Sequence, residues 1–108
     1  MLSKVNRIVS PSDFRSVLRR GRRLTTSHTT IHFVRTGTEA SRFGFIVSKA
    51  TGNAVSRKHT TRWFREISRE LLSVHPTGLD VVIRAKDSIS ETTWSQLHDE
   101  ILTVVGRF

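Results

Sequence analysis

Apolar residues recur along this chain with two different periods, which predict three helices and three stretches of strand. The first helix begins at Ser10-Pro11-Ser12-Asp13, where a capping serine precedes a proline in the first turn, and it ends at Gly21. Stretches rich in Val, Ile, Phe and Thr, bounded by turn residues, predict the strands. The predicted elements are a helix over 11–20, a strand over 24–36 that breaks near Ser27, a strand over 42–48, a helix over 56–74, a strand over 79–85, and a helix from about Ser90, with Glu91 in its first turn, to about Gly106.

The order of these elements predicts an α+β protein in the form of an α/β sandwich. Its small mixed sheet is accompanied by an N-terminal helix, a crossover helix and a C-terminal helix. The strands over 42–48 and 79–85 should be parallel, because a helix joins them, and the apolar strand over 79–85 should be central. Gly44 inside its strand indicates a close approach of other atoms or a bulge. A length of 108 residues predicts one domain over residues 1–108.

Charge is distributed unevenly along the chain. There are 18 Lys and Arg against nine Asp and Glu, a formal net charge of +9. Residues 1–69 hold 15 of the basic and three of the acidic side chains, whereas residues 70–108 hold three and six. Such a concentration of positive charge favours a polyanionic partner, first of all nucleic acid. A membrane surface is a weaker candidate, since no basic stretch has the wide apolar face of an interfacial helix.

Composition excludes several classes of protein. The chain has no cysteine, which rules out disulfides and thiolate metal sites. Its first residues contain no apolar run of signal-peptide length, and no stretch approaches the length of a membrane span. We therefore expect a cytoplasmic protein.

The helix predicted over 56–74 has a basic side and an apolar side. At 100° per residue, its basic residues fall within about 60° of one another; they are Lys58, Arg62, Arg65 and Arg69. The apolar residues occupy the opposite side. An ordinary solvated face would place acids one turn before bases, whereas here like charges repel along the helix. The pattern therefore predicts a surface that binds phosphates.

The segment before this helix fits the same purpose. Gly52 and Ala54 would let a polymer backbone approach the helix N-terminus, which offers free backbone N–H groups. Asn53 could form a turn or bind a sugar or phosphate. The phosphate-binding spacing GxxxxGK[ST] is absent, so the segment gives little support for nucleotide hydrolysis.

Taken together, these segments resemble the protein subunit of bacterial ribonuclease P. The resemblance covers nearly the whole chain and rests on Arg42 to Lys49, on Gly52-Asn53-Ala54-Val55, and on Arg57, Arg62, Arg65 and Glu66. It implies a left-handed crossover through the arginine-rich helix, against the usual right-handed rule. It also implies binding to the catalytic RNA of ribonuclease P, which removes the 5′ leader of precursor tRNA with magnesium. The protein itself would hold no cofactor or metal, contribute no catalytic side chain, and join the RNA in a 1:1 complex.

The resemblance assigns roles to residues of two surfaces. The residues that the resemblance places against the catalytic RNA are Lys49, Asn53, Arg57, Arg62 and Arg65; the pattern of the turn and the helix adds Gly52, Lys58 and Arg69. The leader of precursor tRNA would lie in a cleft between the first helix and the sheet, lined by Phe14, Leu18 and His32. From its place on the apolar face of a helix alone, Phe14 would more often be part of the core.

Five positions depart from the family pattern. An aromatic residue is common where this chain has Leu18 and His32, so base stacking on the leader should be weaker. In the helix, the departures are Lys58 in place of the usual asparagine, and His59 and Thr61 where basic residues are frequent.

Other functions receive less support. The five histidines are scattered without a repeated spacing, so an acid–base pair that cleaves RNA is not indicated; His28 and His98 are expected at the surface. A DNA-binding helix-turn-helix is disfavoured because a strand precedes the arginine-rich helix. The main alternative is a ribosomal protein or another protein that binds structured RNA without an enzymatic role.

Overall fold

The computed structural model describes residues 2–106. Its elements, in chain order, are α1 (Pro11–Arg20), β1 (Arg22–Thr25), β2 (Thr29–Arg35), β3 (Arg42–Ile46), α2 (Ala54–Val74), β4 (Leu79–Ala85) and α3 (Trp94–Val105), with short 3₁₀ turns at Lys4–Asn6, Lys49–Thr51 and Asp87–Glu91. Within residues 2–106, no helix is long and apolar enough to cross a membrane.

The four strands form one mixed sheet in the order β1-β2-β4-β3. β2 pairs antiparallel with both β1 and β4, and β3 pairs parallel with β4, with Gly44 opposite Val82. The helix α2 connects the two parallel strands. The predicted mixed sheet, the parallel pair and the central position of β4 are therefore confirmed.

One face of the sheet forms the main core with α2 and α3. Val81 and Ile83 point to this side from β4 and are fully buried. They pack with apolar residues of both helices, namely Phe64, Ile67 and Leu71 of α2 and Leu97, Ile101 and Val105 of α3. The apolar side of α2 predicted from helical periodicity is thus the side that anchors it to the sheet.

The opposite face of the sheet is partly covered by α1. Val17 of α1 and Ile8 pack on Val82 of β4, and Phe14, Leu18, Val34 and Ile46 surround them. The ring of Phe14 lies over Gly44, where a Cβ atom would come within 2.6 Å of Phe14 Cε1. The close approach predicted at Gly44 is confirmed, and the approaching group is the Phe14 side chain.

An ion-pair network fixes α1 to this face. Both Arg42 Nε and Nη2 donate to the Asp80 carboxylate, at 3.1 and 2.7 Å, and Arg42 Nη1 donates to Asp13 Oδ2 at 3.1 Å. Asp80 is buried, so the paired hydrogen bonds from one guanidinium compensate the loss of water around its charge. Arg42 thereby connects β3, β4 and the first turn of α1.

One predicted break in a strand is confirmed, and one predicted helix boundary differs from the structure. The break near Ser27 is real: Thr26 and Thr29 bond across the β1–β2 turn, Thr29 N donating to Thr26 Oγ1 at 3.0 Å. The predicted start of the last helix near Ser90 is wrong, since α3 begins at Trp94. Thr93 and Gln96 form a capping box there, and Glu91 belongs to the preceding 3₁₀ turn.

Candidate nucleic-acid interface

Four basic side chains of α2 share one exposed side of the helix. Together with Thr61 and Glu66 they line a shallow depression along it; we call Lys58, Arg62, Arg65 and Arg69 the basic surface. All four are exposed, whereas Phe64, Ile67 and Leu71 on the opposite side are fully buried. The helix therefore places a row of cations in solvent while its apolar side holds the row in position.

Glu66 is the acid within this depression. Its Oε1 atom lies 3.9 Å from Arg62 Nε, with side chains 51% and 77% exposed. A pair this long and this exposed contributes little to stability and leaves the guanidinium available to another anion. The basic surface therefore keeps its capacity to bind phosphates.

The segment before α2 is shaped by backbone requirements. Gly52 has φ of 151°, a conformation that side-chain-bearing residues rarely adopt. Asn53 caps α2, its Oδ1 accepting from Ser56 N at 2.8 Å. The predicted turn is confirmed, and this cap gives Asn53 a structural role beside the predicted contact with RNA. Lys49 is exposed in the preceding 3₁₀ turn.

Arg57 lies apart from the basic surface. It is half-buried on the flank of α2, and its Nε atom is enclosed without a hydrogen-bond partner within residues 2–106. Arg57 is therefore less accessible to an RNA than the four residues of the basic surface.

Phe14 lines a cavity of about 330 Å³ that extends from α1 to α2. Arg7 and Gly44 contribute to its walls, and Thr61 and Arg65 contribute from α2. Phe14 is only half-buried, so part of its ring is available at this surface. Arg65 borders both the cavity and the basic surface, which makes the two regions continuous.

His32 occupies a different hollow on the same face of the sheet. It stands opposite Arg23 across β1 and β2, and both residues line this hollow with Arg84. Burial, followed by the charges of Arg23 and Arg84, lowers the pKa of His32 below its ordinary value of 6.5. The structure thus separates His32 from the Phe14 cavity. Leu18 packs around Val82 between α1 and the sheet.

Several residues of this face were not identified from the sequence. Arg23 and Arg84 converge on His32, and Arg42 holds α1 through Asp13 and Asp80. The available signal was Arg84, which with Asp80 is one of two charged residues in a mostly apolar strand. Arg23, His32 and Arg84 lie on three separate strands, so their proximity depends on the order of the strands in the sheet.

The other histidines take part in local contacts. His28 Nδ1 lies 2.7 Å from Glu100 Oε1 and its side chain is 17% exposed, so His28 is only partly at the surface. His98 bonds to Glu70 and is also mostly covered. These pairs connect α3 to the β1–β2 turn and to α2. In the described part of the chain, no group of three or more His, Cys, Asp or Glu could hold a metal ion.

Comparison with known sequences identifies similar proteins. A family model described as Ribonuclease P matches residues 2–108. The chain is 39% identical over 108 residues to the ribonuclease P protein component of Clavibacter michiganensis, covering 99% of this chain and 96% of that protein. It is 30% identical over 100 residues to the protein component of Thermotoga petrophila, covering 88% and 85%.

Solved structures show the same fold. The ribonuclease P protein from Thermotoga maritima superimposes with a TM-score of 0.83 at 25% identity, covering 94% of this chain and 96% of that one. The protein from Staphylococcus aureus gives a TM-score of 0.77 at 24% identity, covering 94% of each chain.

Proposed function

This chain belongs to the ribonuclease P family, and on that premise we propose that it is the protein component of the ribonucleoprotein that removes the 5′ leader from precursor tRNA. Its partner is the ribonuclease P RNA. The role is that of a subunit of an endoribonuclease, and the protein contributes binding to the complex.

The basic surface of α2 is the observation that carries this proposal. Its four cations are exposed along one side of a helix whose other side is buried in the core. Arginine guanidinium groups match phosphate oxygens in pairs, and closely spaced like charges gain most from a polyanion that cancels their repulsion. We propose that this surface binds the catalytic RNA, with Lys49, Gly52, Asn53 and Arg57 at its edge.

The face of the sheet beside α1 is proposed as the leader site. The half-exposed Phe14 ring offers a stacking surface for a base, and Arg65 at the same cavity offers a charge for the neighbouring phosphate. Leu18 and His32 extend this face. The leader and the catalytic RNA would then meet at Arg65, where the two regions are continuous.

Hydrolysis is assigned to the RNA, which would bind the magnesium that the reaction uses, in a complex with one copy of the protein. In this division of labour, Lys58, Arg62 and Arg69 neutralise RNA phosphates, and Phe14 orients the substrate leader. The protein increases the affinity of the catalytic RNA for precursor tRNA. This effect is largest at low concentrations of divalent cation, where phosphate repulsion between the two RNAs is strongest.

Reconstitution tests this function directly. The full chain is mixed with ribonuclease P RNA and precursor tRNA at a magnesium concentration at which the RNA alone is inactive. We expect leader removal to appear only when protein and RNA are both present. Cleavage by the protein alone, or no gain from adding it, would contradict the proposal.

A second measurement separates this function from ribosomal RNA binding. The tagged chain is purified from cells and its bound RNA is sequenced, with a variant lacking Arg62, Arg65 and Arg69 as the control. We expect ribonuclease P RNA to be enriched with the parent chain and lost with the variant. Enrichment of ribosomal RNA instead would support the alternative.

A further inference from the structure

A small cavity lies between the first half of α2 and the loop that follows β4, on the side of the molecule away from α1. Its volume is about 260 Å³. The helix and the loop supply most of its lining, with Val55, Ser56, His59 and Trp63 from α2 and Ile89 and Ser90 from the loop. The Phe14 cavity and the hollow around His32 share none of these residues. The cavity is therefore a separate feature of the molecule.

The lining of this cavity favours a neutral ligand. Among the described residues that line it, none is Lys, Arg, Asp or Glu. The hydroxyls of Thr51 and Thr60 donate to the backbone oxygens of Ser48 and Ser56, at 2.7 and 3.1 Å. The hydroxyls of Ser56 and Ser90 form no hydrogen bond within residues 2–106, so they are available to a ligand. A phosphate would need cations here, whereas a flat neutral ring with polar edges matches hydroxyls set among apolar groups.

Aromatic rings form one wall of the cavity. The ring centroids of His59 and Trp63 lie 4.6 Å apart, and Trp63 meets Trp94 edge-on at 5.8 Å. Trp63 and Trp94 pack against the main core, whereas His59 is exposed. The core therefore holds Trp63 in position while the imidazole beside it remains open to a ligand. Rings fixed in this way lose little conformational freedom when another flat ring stacks on them.

The cavity borders the basic surface of α2. At 100° per residue, His59 lies about 100° from Lys58 and about 60° from Arg62 around the helix. Val55 lies between Arg62 and His59, lines the cavity and is 78% exposed, so the core makes no use of this apolar side chain. A nucleotide whose phosphate contacts Lys58 or Arg62 could therefore turn its base over Val55 into the cavity.

We propose that this cavity binds one unpaired base of the catalytic RNA, stacked on His59 and Trp63 and hydrogen-bonded at its edge by the hydroxyls of Ser56 and Ser90. The inference deepens the proposed function and rests on it, because the same RNA places its phosphates on the basic surface. Cavities for drug-sized ligands measure about 300–1,000 Å³, so the smaller volume here suits a single base.

Chemical probing of ribonuclease P RNA in complex with the full chain tests the site. At saturating protein, dimethyl sulfate modifies the free edges of adenine and cytosine, and a carbodiimide modifies those of guanine and uracil. We expect one unpaired base to be protected by the parent chain and by His59→Phe, and to remain reactive in the complex with His59→Ala. If no base differs between the parent and His59→Ala complexes, the inference is wrong, and an apolar side chain of a protein partner becomes the better occupant of the cavity.

The dependence of affinity on salt separates stacking from charge at His59. His59→Ala should bind the RNA about fivefold more weakly or worse, the loss expected for one base stack, with an unchanged slope of log affinity against log salt. His59→Phe keeps a ring that cannot carry charge, so it should bind like the parent chain. If His59→Phe binds as weakly as His59→Ala and both lower the slope, His59 contacts a phosphate and the inference is wrong.

A variant in the loop after β4 blocks the cavity without changing α2. Ser90 is exposed, so Ser90→Leu should leave the fold intact, fill the space of the base and weaken binding about as much as His59→Ala does. Ser95→Leu adds the same side chain at an exposed position of α3 outside the cavity and should bind like the parent chain. Urea unfolding confirms that both variants are folded. Equal binding by folded Ser90→Leu and Ser95→Leu would contradict the inference.

Failure of this inference can be distinguished from failure of the proposed function. A parent chain that does not bind ribonuclease P RNA would overturn both. A parent chain that binds this RNA and supports leader removal, but protects no base in a way that depends on His59, would retain the proposed function and lose this site.

Discussion

Single residues determine how α1 sits on the sheet, and Gly44 is the clearest case. The sequence predicted a close approach at this glycine. Glycine contributes no side-chain packing inside a strand, so its presence there indicates that another group comes close to the backbone. It could not predict that Phe14 makes the approach, since the two residues lie thirty positions apart and meet only through the packing of α1. The same packing leaves Phe14 half-exposed, a compromise between core and surface that its residue type does not reveal.

We expect Gly44→Ala to destabilise the protein by about 1–3 kcal/mol, because the new methyl group would overlap the Phe14 ring. Urea unfolding of Gly44→Ala, Phe14→Leu and the double variant measures the coupling between the two sites. The smaller, flexible leucine should recover part of the loss. If Gly44→Ala lowers the free energy of unfolding equally in the parent chain and in the Phe14→Leu variant, the Phe14 ring is not the group that the new methyl group overlaps.

Lys58 allows a second test at this scale. Asparagine, usual in the family at this position, would offer one RNA group a donor and an acceptor, whereas lysine offers charge. Lys58 lies exposed on the basic surface, so we expect Lys58→Arg to bind the RNA nearly as tightly as the parent chain does. Lys58→Asn should bind modestly more weakly, and this loss of affinity should become smaller as the salt concentration rises. Binding of the three proteins to ribonuclease P RNA at two salt concentrations decides this. Tighter binding by Lys58→Asn would contradict the argument.

At the scale of elements, the sequence predicted the features that depend on residues close together in the chain. The two sides of α2 follow from the helical period alone, and its buried and exposed residues agree with that period. The start of α3 did not follow, because Ser90 and Thr93 are both acceptable caps and only Thr93 has Gln96 three positions later. The Arg23–His32–Arg84 cluster was equally hidden, since it requires the order of three strands.

We expect Arg62→Ala and Arg65→Ala each to weaken binding to the catalytic RNA and to reduce its salt dependence. Each lost phosphate contact should lower the slope of log affinity against log salt by about 0.7–0.9. Arg35→Ala, which removes an exposed charge outside the basic surface, is the matched control. If the slope is unchanged in both α2 variants, the basic surface contacts solvent and makes no contact with RNA phosphates.

At the scale of the whole molecule, the two proposed binding regions are the basic surface and the Phe14 cavity, which share Arg65. The basic surface lies on the outer side of α2, and the Phe14 cavity lies between α1 and β3, so a change at the far end of either region should leave the other intact. Arg69 and Phe14 suit this comparison, because Arg69 belongs to the basic surface alone and Phe14 to the cavity alone.

We expect Arg69→Ala to weaken assembly with the catalytic RNA while preserving the preference of the holoenzyme for precursor over mature tRNA. Phe14→Ala should do the reverse, lowering that preference with nearly normal assembly. The measurements are the dissociation constant of the protein–RNA complex and the ratio of affinities for the two tRNAs. Unfolding controls are essential, because loss of a fully buried phenylalanine would cost about 3–5 kcal/mol. A Phe14→Ala protein that unfolds would place Phe14 in the core, and one that binds both tRNAs normally would exclude it from the leader site.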